Sequence, residues 1–258
     1  MAGDLQAAAV ERLAEQDLRI VGRFVEATNL TLLAELADGR RAVVKPVAGE
    51  RPLWDFPDGT LAGREVASWL VCRALGWDLV PATVLRDVPE AGPSSVQEYV
   101  DGQGEPVVDL FRGTAPDGWA GVATGVDEDG AEVVIAHRDT PALRRMAVLD
   151  VLLNNADRKG SHILVAPDGR VRGIDHGLTF HAQDKLRTVL WGFAGDPLPA
   201  DVADALEQLR AQWPPPDLEL HLTGREVRAA GARLQALLGD PRYPPPAPGW
   251  PRLPWPPL

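Results

Sequence analysis

The sequence predicts an α+β protein with an antiparallel, β-rich amino-terminal part and a mainly helical remainder. Three observations lead there. Short β-branched runs separated by turn dipeptides fill residues 18–100, apolar residues at helical spacing dominate from residue 140 onward, and a stretch rich in Gly, Asp and Pro divides the two. The 258 residues and 27.8 kDa suit one full domain, or one catalytic unit built as two small lobes.

Taken in order, residues 4–16 carry Leu5, Ala8, Ala9 and Leu13 at the spacing of a short amphipathic helix. Two β-rich runs, 18–26 and 30–36, flank Ala27-Thr28-Asn29, and Asp38-Gly39 is a strong hairpin turn into residues 41–45. Residues 49–59 form a turn-dense loop. A helix should run from Thr60 or Leu61 to Leu75, with Thr60 as N-cap and Gly76 ending it. Strands near Val84 and over 96–100 complete an antiparallel sheet carrying one helix.

After Asp101-Gly102 the character changes. Residues 113–130 read as loop, with a strand at 132–136. Thr140-Pro141 is a helix start, a capping hydroxyl followed by proline at the first helical position. Leu143, Met146, Ala147, Leu149, Val151 and Leu153 make that helix largely buried, ending near Asn154-Asn155. A hairpin over 162–174 turns at Pro167-Asp168-Gly169, and helices follow at 200–212 and 223–238, the second opened by a Thr223/Glu226 capping box. The eighteen residues from Pro241 contain nine prolines and two tryptophans, a polyproline-like tail that either straps Trp250 and Trp255 onto the body or offers a motif to a partner. The expected organisation is an N-terminal unit over 1–101, a C-terminal unit over 102–240 and the tail over 241–258.

Composition excludes several classes. The longest apolar run, 66–72, is far short of the roughly 20 residues of a membrane span. The first residues lack the basic-then-apolar pattern of a signal peptide, and the single Cys72 permits no internal disulfide, which together favour a cytoplasmic location. A formal charge of −11 and a pI near 4.9 argue against nucleic acid and anionic lipid as partners. Only three of the 26 basic residues are lysine, namely Lys45, Lys159 and Lys185.

Chemistry concentrates between residues 149 and 180. Asp157 lies in a polar loop just after the apolar helix, and Asp175 ends a strand eighteen residues on, so the intervening hairpin brings both carboxylates to one end. Such a pair suits a proton acceptor for a substrate hydroxyl and a ligand for a divalent cation.

Asp157-Arg158 before a strand, followed by Ile174-Asp175-His176-Gly177, resembles the catalytic loop and metal motif of the phosphatidylinositol 3-/4-kinase superfamily, an arrangement shared by HipA-type bacterial kinases. The resemblance implies a two-lobed atypical protein-kinase-like fold and ATP-dependent phosphotransfer. Asp157 would orient or deprotonate the acceptor hydroxyl, and Asp175 would bind Mg²⁺ or Mn²⁺ bridging the ATP phosphates. Lys45, closing Val43-Val44-Lys45, matches the phosphate-binding lysine, and Glu65 on the next helix its partner, with Glu50 as the fallback. The backbone of Glu98 and Val100 would meet adenine. No G-x-G-x-x-G is present; Thr28 and Asn29 at the first hairpin turn stand where phosphate would be met.

Two departures stand out. His162 replaces the family's metal-binding asparagine, which makes it a candidate ligand with Asp175, and His176 replaces the phenylalanine of Asp-Phe-Gly. In the segment that would present the acceptor, Lys185 and Arg187, near Trp191 and Phe193, are sparser than the basic cluster of inositol-lipid kinases. The acceptor is then a protein hydroxyl, a small metabolite or a lipid head group. The Trp54-Asp55-Phe56-Pro57-Asp58 loop either lines the cleft or fastens the helix to the sheet. Two other readings remain open: a nucleotide-binding pseudokinase, motivated by His162, and a metal-dependent hydrolase using Asp157, His162, Asp175, His176 and His181.

Overall fold

The computed structural model describes residues 2–25, 27–54, 56 and 61–258. Helix α1 (Ala2–Glu15) leads into a five-stranded sheet built from β1 (Leu18–Arg23), β2 (Leu32–Leu36), β3 (Arg41–Pro46), β4 (Thr83–Val88) and β5 (Gly92–Glu98). Its order is β1-β2-β3-β5-β4, antiparallel throughout, with helix α2 (Leu61–Ala74) inserted in sequence between β3 and β4. The β2–β3 hairpin closes through Gly39 at φ 81°, a left-handed turn position that glycine takes without a Cβ penalty. Helices α1 and α2 both pack on β4 and β5, and residues 94–97 are buried on both sides of the pleat. The β1–β2 connection is longer than the three-residue turn expected, because Phe24 N–H pairs with Thr31 O and Leu30 N–H reaches across to Gly49 O. Thr60, expected as the N-cap of α2, and the residues at 55 and 57–59 of the preceding loop lie outside the described residues.

Between residues 102 and 139 the structure departs from expectation. A second antiparallel sheet, ordered β6-β8-β7, comprises β6 (Val108–Arg112), β7 (Trp119–Val126) and β8 (Glu132–Arg138). Strand β7 falls inside the segment read as loop. It is a bulged edge strand with no fully buried residue, so tertiary pairing to β8 holds it rather than an alternating pattern of its own.

Helix α3 (Pro141–Leu153) is the centre of the C-terminal part. Thr140 Oγ1 accepts the Leu143 N–H at its start, and Asn154 ends it in the left-handed conformation at φ 53°. Leu143, Met146, Val148, Leu149, Leu152 and Leu153 are all 0% exposed, the mark of a helix surrounded by protein on every side. Hairpin β9 (Ile163–Val165) and β10 (Val171–Gly173) follows, then α4 (Ala200–Ala211) and α5 (Gly224–Gly239), whose Thr223/Glu226 capping box forms as expected.

The tail is a strap. Leu198 N–H donates to Pro241 O, Thr188 N–H and Trp191 Nε1–H to Arg252 O, and Gly160 N–H to Pro257 O. Of its tryptophans, Trp250 lies against Lys185 and Arg187, whereas Trp255 is 87% exposed and packs on nothing extensive. No helix among the described residues is long and apolar enough to cross a membrane.

Tyr243 anchors the strap: it is 3% exposed, stacks near Phe193 and donates its hydroxyl to Arg144 O. Tyr243→Ala should cost roughly 3 kcal/mol in chemical denaturation; a loss under about 0.5 kcal/mol would mean the strap contributes nothing to the body's stability.

Candidate active site

Strand β3 aims Lys45 into the space between sheet and hairpin, and α2 brings Glu65 from behind. Lys45 Nζ is paired with Glu65 Oε1 and donates to Asp175 Oδ1 at 2.9 Å. Glu65, 2% exposed, uses its second oxygen to accept the His176 N–H at 2.9 Å. Burial alone would lower the Lys45 pKa, but Asp175 and Glu65 outweigh it and hold the ammonium charged well above its ordinary range. Lys45 in turn holds the Asp175 carboxyl well below the usual carboxylate range. Glu50 does not reach Lys45; its carboxylate caps α2 by accepting the N–H groups of Leu61 and Ala62 at 2.9 Å. Next to Glu65, the buried Arg64 bonds Thr179 O at 2.8 Å and Glu226 at 2.6 Å, tying α2 to the segment after Asp175 and to α5.

Asp157 leaves α3 in a loop whose amide donates to Asn155 Oδ1 at 3.0 Å. Burial pushes its carboxyl above the usual range, opposed by Lys159, whose ammonium lies 3.2 Å from Oδ2. His162 sits across the hairpin. Its Nδ1 is 2.9 Å from Asp157 O, its Nε2 is 3.4 Å from Asp175 Oδ2, and its own carbonyl accepts the Ile174 N–H at 3.0 Å. Burial lowers its pKa to about 4, so the ring is neutral near pH 7. Asp175 itself adopts φ 58°, a left-handed conformation uncommon outside glycine that turns its carboxylate toward both Lys45 and His162.

A second charged network, absent from the expectations, underlies this loop. Asp150 is 0% exposed on α3 and accepts from Arg158 Nε, Asn155 Nδ2 and Thr188 Oγ1, each at 3.0 Å. Arg158, equally buried, spends its remaining nitrogens on Ile174 O at 2.9 Å, His162 O at 3.3 Å and His176 Nε2 at 2.7 Å. Since guanidinium only donates, His176 Nε2 accepts and the ring is neutral, with burial holding its pKa well below the ordinary value. Asn154 completes the scaffold. Its amide donates to the carbonyls of His181 at 2.8 Å and Gln183 at 2.6 Å, and its oxygen accepts the Lys185 N–H at 2.9 Å. The sequence signal for both was visible, an acid inside an apolar helix and an Asn-Asn pair at its end.

The other expected residues are spread more widely. Asn29 Oδ1 accepts the Arg51 N–H at 3.0 Å, so its side chain is engaged within the N-terminal part, while Thr28 lies in the same turn. Glu98 N–H pairs with Ala82 O and Tyr99 N–H with Arg41 O, whereas the half-buried Val100 makes no backbone bond to another described residue. Phe56 is buried, meets His181 edge-on at 5.2 Å and lies beneath Arg64, so it fastens the loop before α2 to the segment after Asp175. The Lys185 ammonium lies 5.3 Å from the Trp54 ring and 4.8 Å from that of Trp250. Beside this segment is a cavity of about 230 Å³, lined by Phe56, Arg64, His181, Lys185 and Arg225 among others. His176 and His181 do not converge with Asp157 and Asp175 on one point, and no group of three or more His, Cys, Asp or Glu among the described residues is assembled to hold a metal ion.

Comparison with known proteins bears on the family and the fold. The family described as phosphatidylinositol 3- and 4-kinase matches residues 140–204, a span that holds Asp157, His162 and Asp175. Over 262 residues the chain is 47% identical to Protein Rv2133c of Mycobacterium tuberculosis (strain ATCC 25618 / H37Rv), covering 95% of this chain and 93% of that protein. Among solved structures, the Golgi casein kinase with Mn/ADP bound superimposes with a TM-score of 0.55 at 14% identity, over 92% of this chain and 75% of that one. A second Golgi casein kinase structure gives 0.50 at 13% identity, over 95% and 81%. The chain therefore belongs to the family of Protein Rv2133c and has the two-lobed fold of the atypical, phosphatidylinositol 3-/4-kinase-like kinases.

Arg158→Met would strand the Asp150 charge in the core and should cost about 3–5 kcal/mol of unfolding free energy. Arg158→Met combined with Asp150→Leu should recover most of that loss in the same denaturant melts, and failure to recover would mean that packing, not the ion pair, sets the cost. His162 gives a pH signature. Its folded pKa of about 4 lies below the unfolded 6.5, so the unfolded chain takes the proton first and stability falls as pH drops through that window. The wild type should lose about 2 kcal/mol more than His162→Asn between pH 7 and pH 5; equal losses would contradict a neutral buried ring.

Proposed function

We propose that this protein is an ATP-dependent phosphotransferase that passes the γ-phosphate to a hydroxyl of a protein or small-molecule acceptor. The observation that carries the reading is the Lys45 ammonium, held by Glu65 and Asp175 together, with Asp157 on the same hairpin loop system. In this reading residues 1–101 form the nucleotide-binding lobe, 102–240 the catalytic lobe and 241–258 a tail packed on the latter, in a chain that works in the cytoplasm.

Lys45 exchanges part of its hold on Asp175 for phosphate oxygens, which a compact ammonium on a flexible stem can do without losing Glu65. Val100, whose amide has no backbone acceptor among the described residues, and the carbonyl of Glu98 bracket the strand end where adenine would pair. Because Asn29 is spent on Arg51, the phosphate-facing role in the first turn rests on Thr28 and its neighbouring backbone amides. Asp157, with its carboxyl raised by burial and steadied by Lys159, orients the acceptor hydroxyl and takes its proton. A divalent cation fits the donor set: Asp175 and His162 present adjacent oxygen and nitrogen donors that would hold it against the phosphates, where it would neutralise their charge. Positioning and charge then supply most of the rate, since phosphoryl transfer asks for little covalent chemistry from protein. One structural neighbour, the Golgi casein kinase, holds Mn/ADP, in keeping with this assignment.

Lys45→Met should abolish nucleotide-dependent thermal stabilisation, whereas Asp157→Asn should keep it and lower transfer of radiolabelled γ-phosphate by at least about 100-fold. Transfer unchanged in Asp157→Asn would overturn the role given to that residue. Nucleotide binding without any transfer, autophosphorylation included, would instead identify a pseudokinase, the reading that the histidine at position 162 favours. No nucleotide stabilisation with any divalent metal would exclude both.

A further inference from the structure

We infer that His162 makes the metal seat of this cleft selective for a first-row transition cation, such as Mn²⁺, over Mg²⁺. The inference rests on the phosphotransferase reading and specifies its metal. Its basis is the proton inventory of one ring. His162 Nδ1 lies 2.9 Å from the backbone carbonyl of Asp157, and a carbonyl can only accept, so Nδ1 carries the proton. The other nitrogen, Nε2, is turned to Asp175 Oδ2 at 3.4 Å. With Nδ1 holding the ring's proton, a cation seated between the two takes the Nε2 lone pair on one side and a carboxylate oxygen on the other.

The spacing suits a shared ion. Two ligands each about 2.1 Å from one metal lie roughly 3.0 Å apart at a right angle and about 3.4 Å apart at the tetrahedral angle. Both ligands are also held in place before any ion arrives. The Ile174 N–H bonds His162 O at 3.0 Å, which fixes the histidine backbone beside the strand end that bears Asp175. Lys45 grips the other carboxylate oxygen, Oδ1, at 2.9 Å, leaving Oδ2 turned to the ring.

The remaining four histidines offer nothing comparable among the described residues. His176 spends Nε2 on Arg158, His181 Nδ1 accepts the Gln183 N–H at 3.0 Å, His137 is packed on Phe193, and His221 lies far along the chain in the turn before α5. Among the described residues two protein donors meet at the seat, so phosphate oxygens and water would complete the shell. Mg²⁺ takes oxygen ligands in a near-ideal octahedron at about 2.1 Å and gains little from imidazole, whereas first-row transition ions bind nitrogen well. An asparagine at 162 would offer an oxygen and remove the discrimination.

The test uses the full chain with a methylene-bridged, non-hydrolysable ATP analogue. Mn²⁺ binding is followed by electron paramagnetic resonance, with Mg²⁺ as the competitor, in wild type and in His162→Asn. The wild type should show nitrogen coupling to bound Mn²⁺ that changes isotope when the histidines are ¹⁵N-labelled. His162→Asn should lose that coupling, keep nucleotide binding with Mg²⁺, and lower the Mn²⁺-over-Mg²⁺ preference by about 10-fold or more. Absence of histidine nitrogen coupling in the wild type would overturn the inference without recourse to any variant, as would an unchanged ion preference in a folded His162→Asn. In both of those results nucleotide binding survives and so does the phosphotransferase reading. Failure of the wild type to bind the analogue with either ion would sink that reading and this inference together.

Discussion

One lysine ammonium held between two carboxylates from distant parts of the chain sets the geometry of the cleft. Lys45 comes from the sheet, Glu65 from the helix beside it, and Asp175 from the hairpin of the other lobe, 130 residues further on. Glu65 is almost fully buried, so its charge has to be matched locally, and Lys45 together with the His176 amide does so. Helix α2 therefore cannot swing away without stranding a buried carboxylate and releasing the backbone next to Asp175. The sum of charges matters as well. One ammonium against Glu65 and Asp175 leaves a net negative charge, while the charge of Asp157 is met by Lys159 at 3.2 Å. In the phosphotransferase reading, a polyphosphate meeting those carboxylates without a further cation would be repelled, so nucleotide and divalent metal would bind together.

The other lobe answers with a network of its own. Asp150 and Arg158 form a completely buried pair, and such pairs add little net stability while making the loss of one partner expensive. What this one secures is position. Arg158 touches carbonyls on both sides of the hairpin and the ring of His176, so the loop bearing Asp157 and the strand end bearing Asp175 are referred to a single guanidinium. It also accounts for the histidine in the Asp-His-Gly motif. An apolar ring there would leave one Arg158 nitrogen in the core without an acceptor; His176 supplies a lone pair at 2.7 Å.

Sequence reasoning reached the features that depend on neighbours in the chain. The Lys45 strand, the helix with Glu65, the Thr140-Pro141 start and the Thr223/Glu226 box are each announced by residues within a turn of the element they define, and the fold of the atypical kinases follows from their order. It failed where tertiary partners decide. Strand β7 has no periodicity because it is an exposed edge held by β8, and Asn29 looked free for phosphate because nothing local shows that Arg51 returns to bond it. Glu50 and Glu65 both follow Lys45 in the chain; only the folded structure puts Glu50 on the α2 amides and Glu65 on the ammonium. Asp150 passed as one residue of an apolar helix, although a carboxylate in that setting already demands a buried cation.

The scarcity of lysine in an arginine-rich chain gains a physical meaning from these contacts. Lys45 is shared by two carboxylates, Lys159 stands 3.2 Å from Asp157, and Lys185 is 5% exposed with its ammonium near two indole rings. Arginine can supply the charge at each place but not its mobility. A guanidinium between Glu65 and Asp175 would settle into a planar, bidentate pair with one of them, as Arg144 does with Asp139, and such a pair releases its carboxylate reluctantly. In the phosphotransferase reading, the cation beside Asp175 has to loosen one contact, take a phosphate oxygen and return. A rotatable point charge on a four-carbon stem does this at little cost, whereas a fork locked by two parallel hydrogen bonds has to break both. The structural role at Asp150 therefore suits arginine and the working role at Asp175 suits lysine, although both cations lie within hydrogen-bonding reach of the same short hairpin.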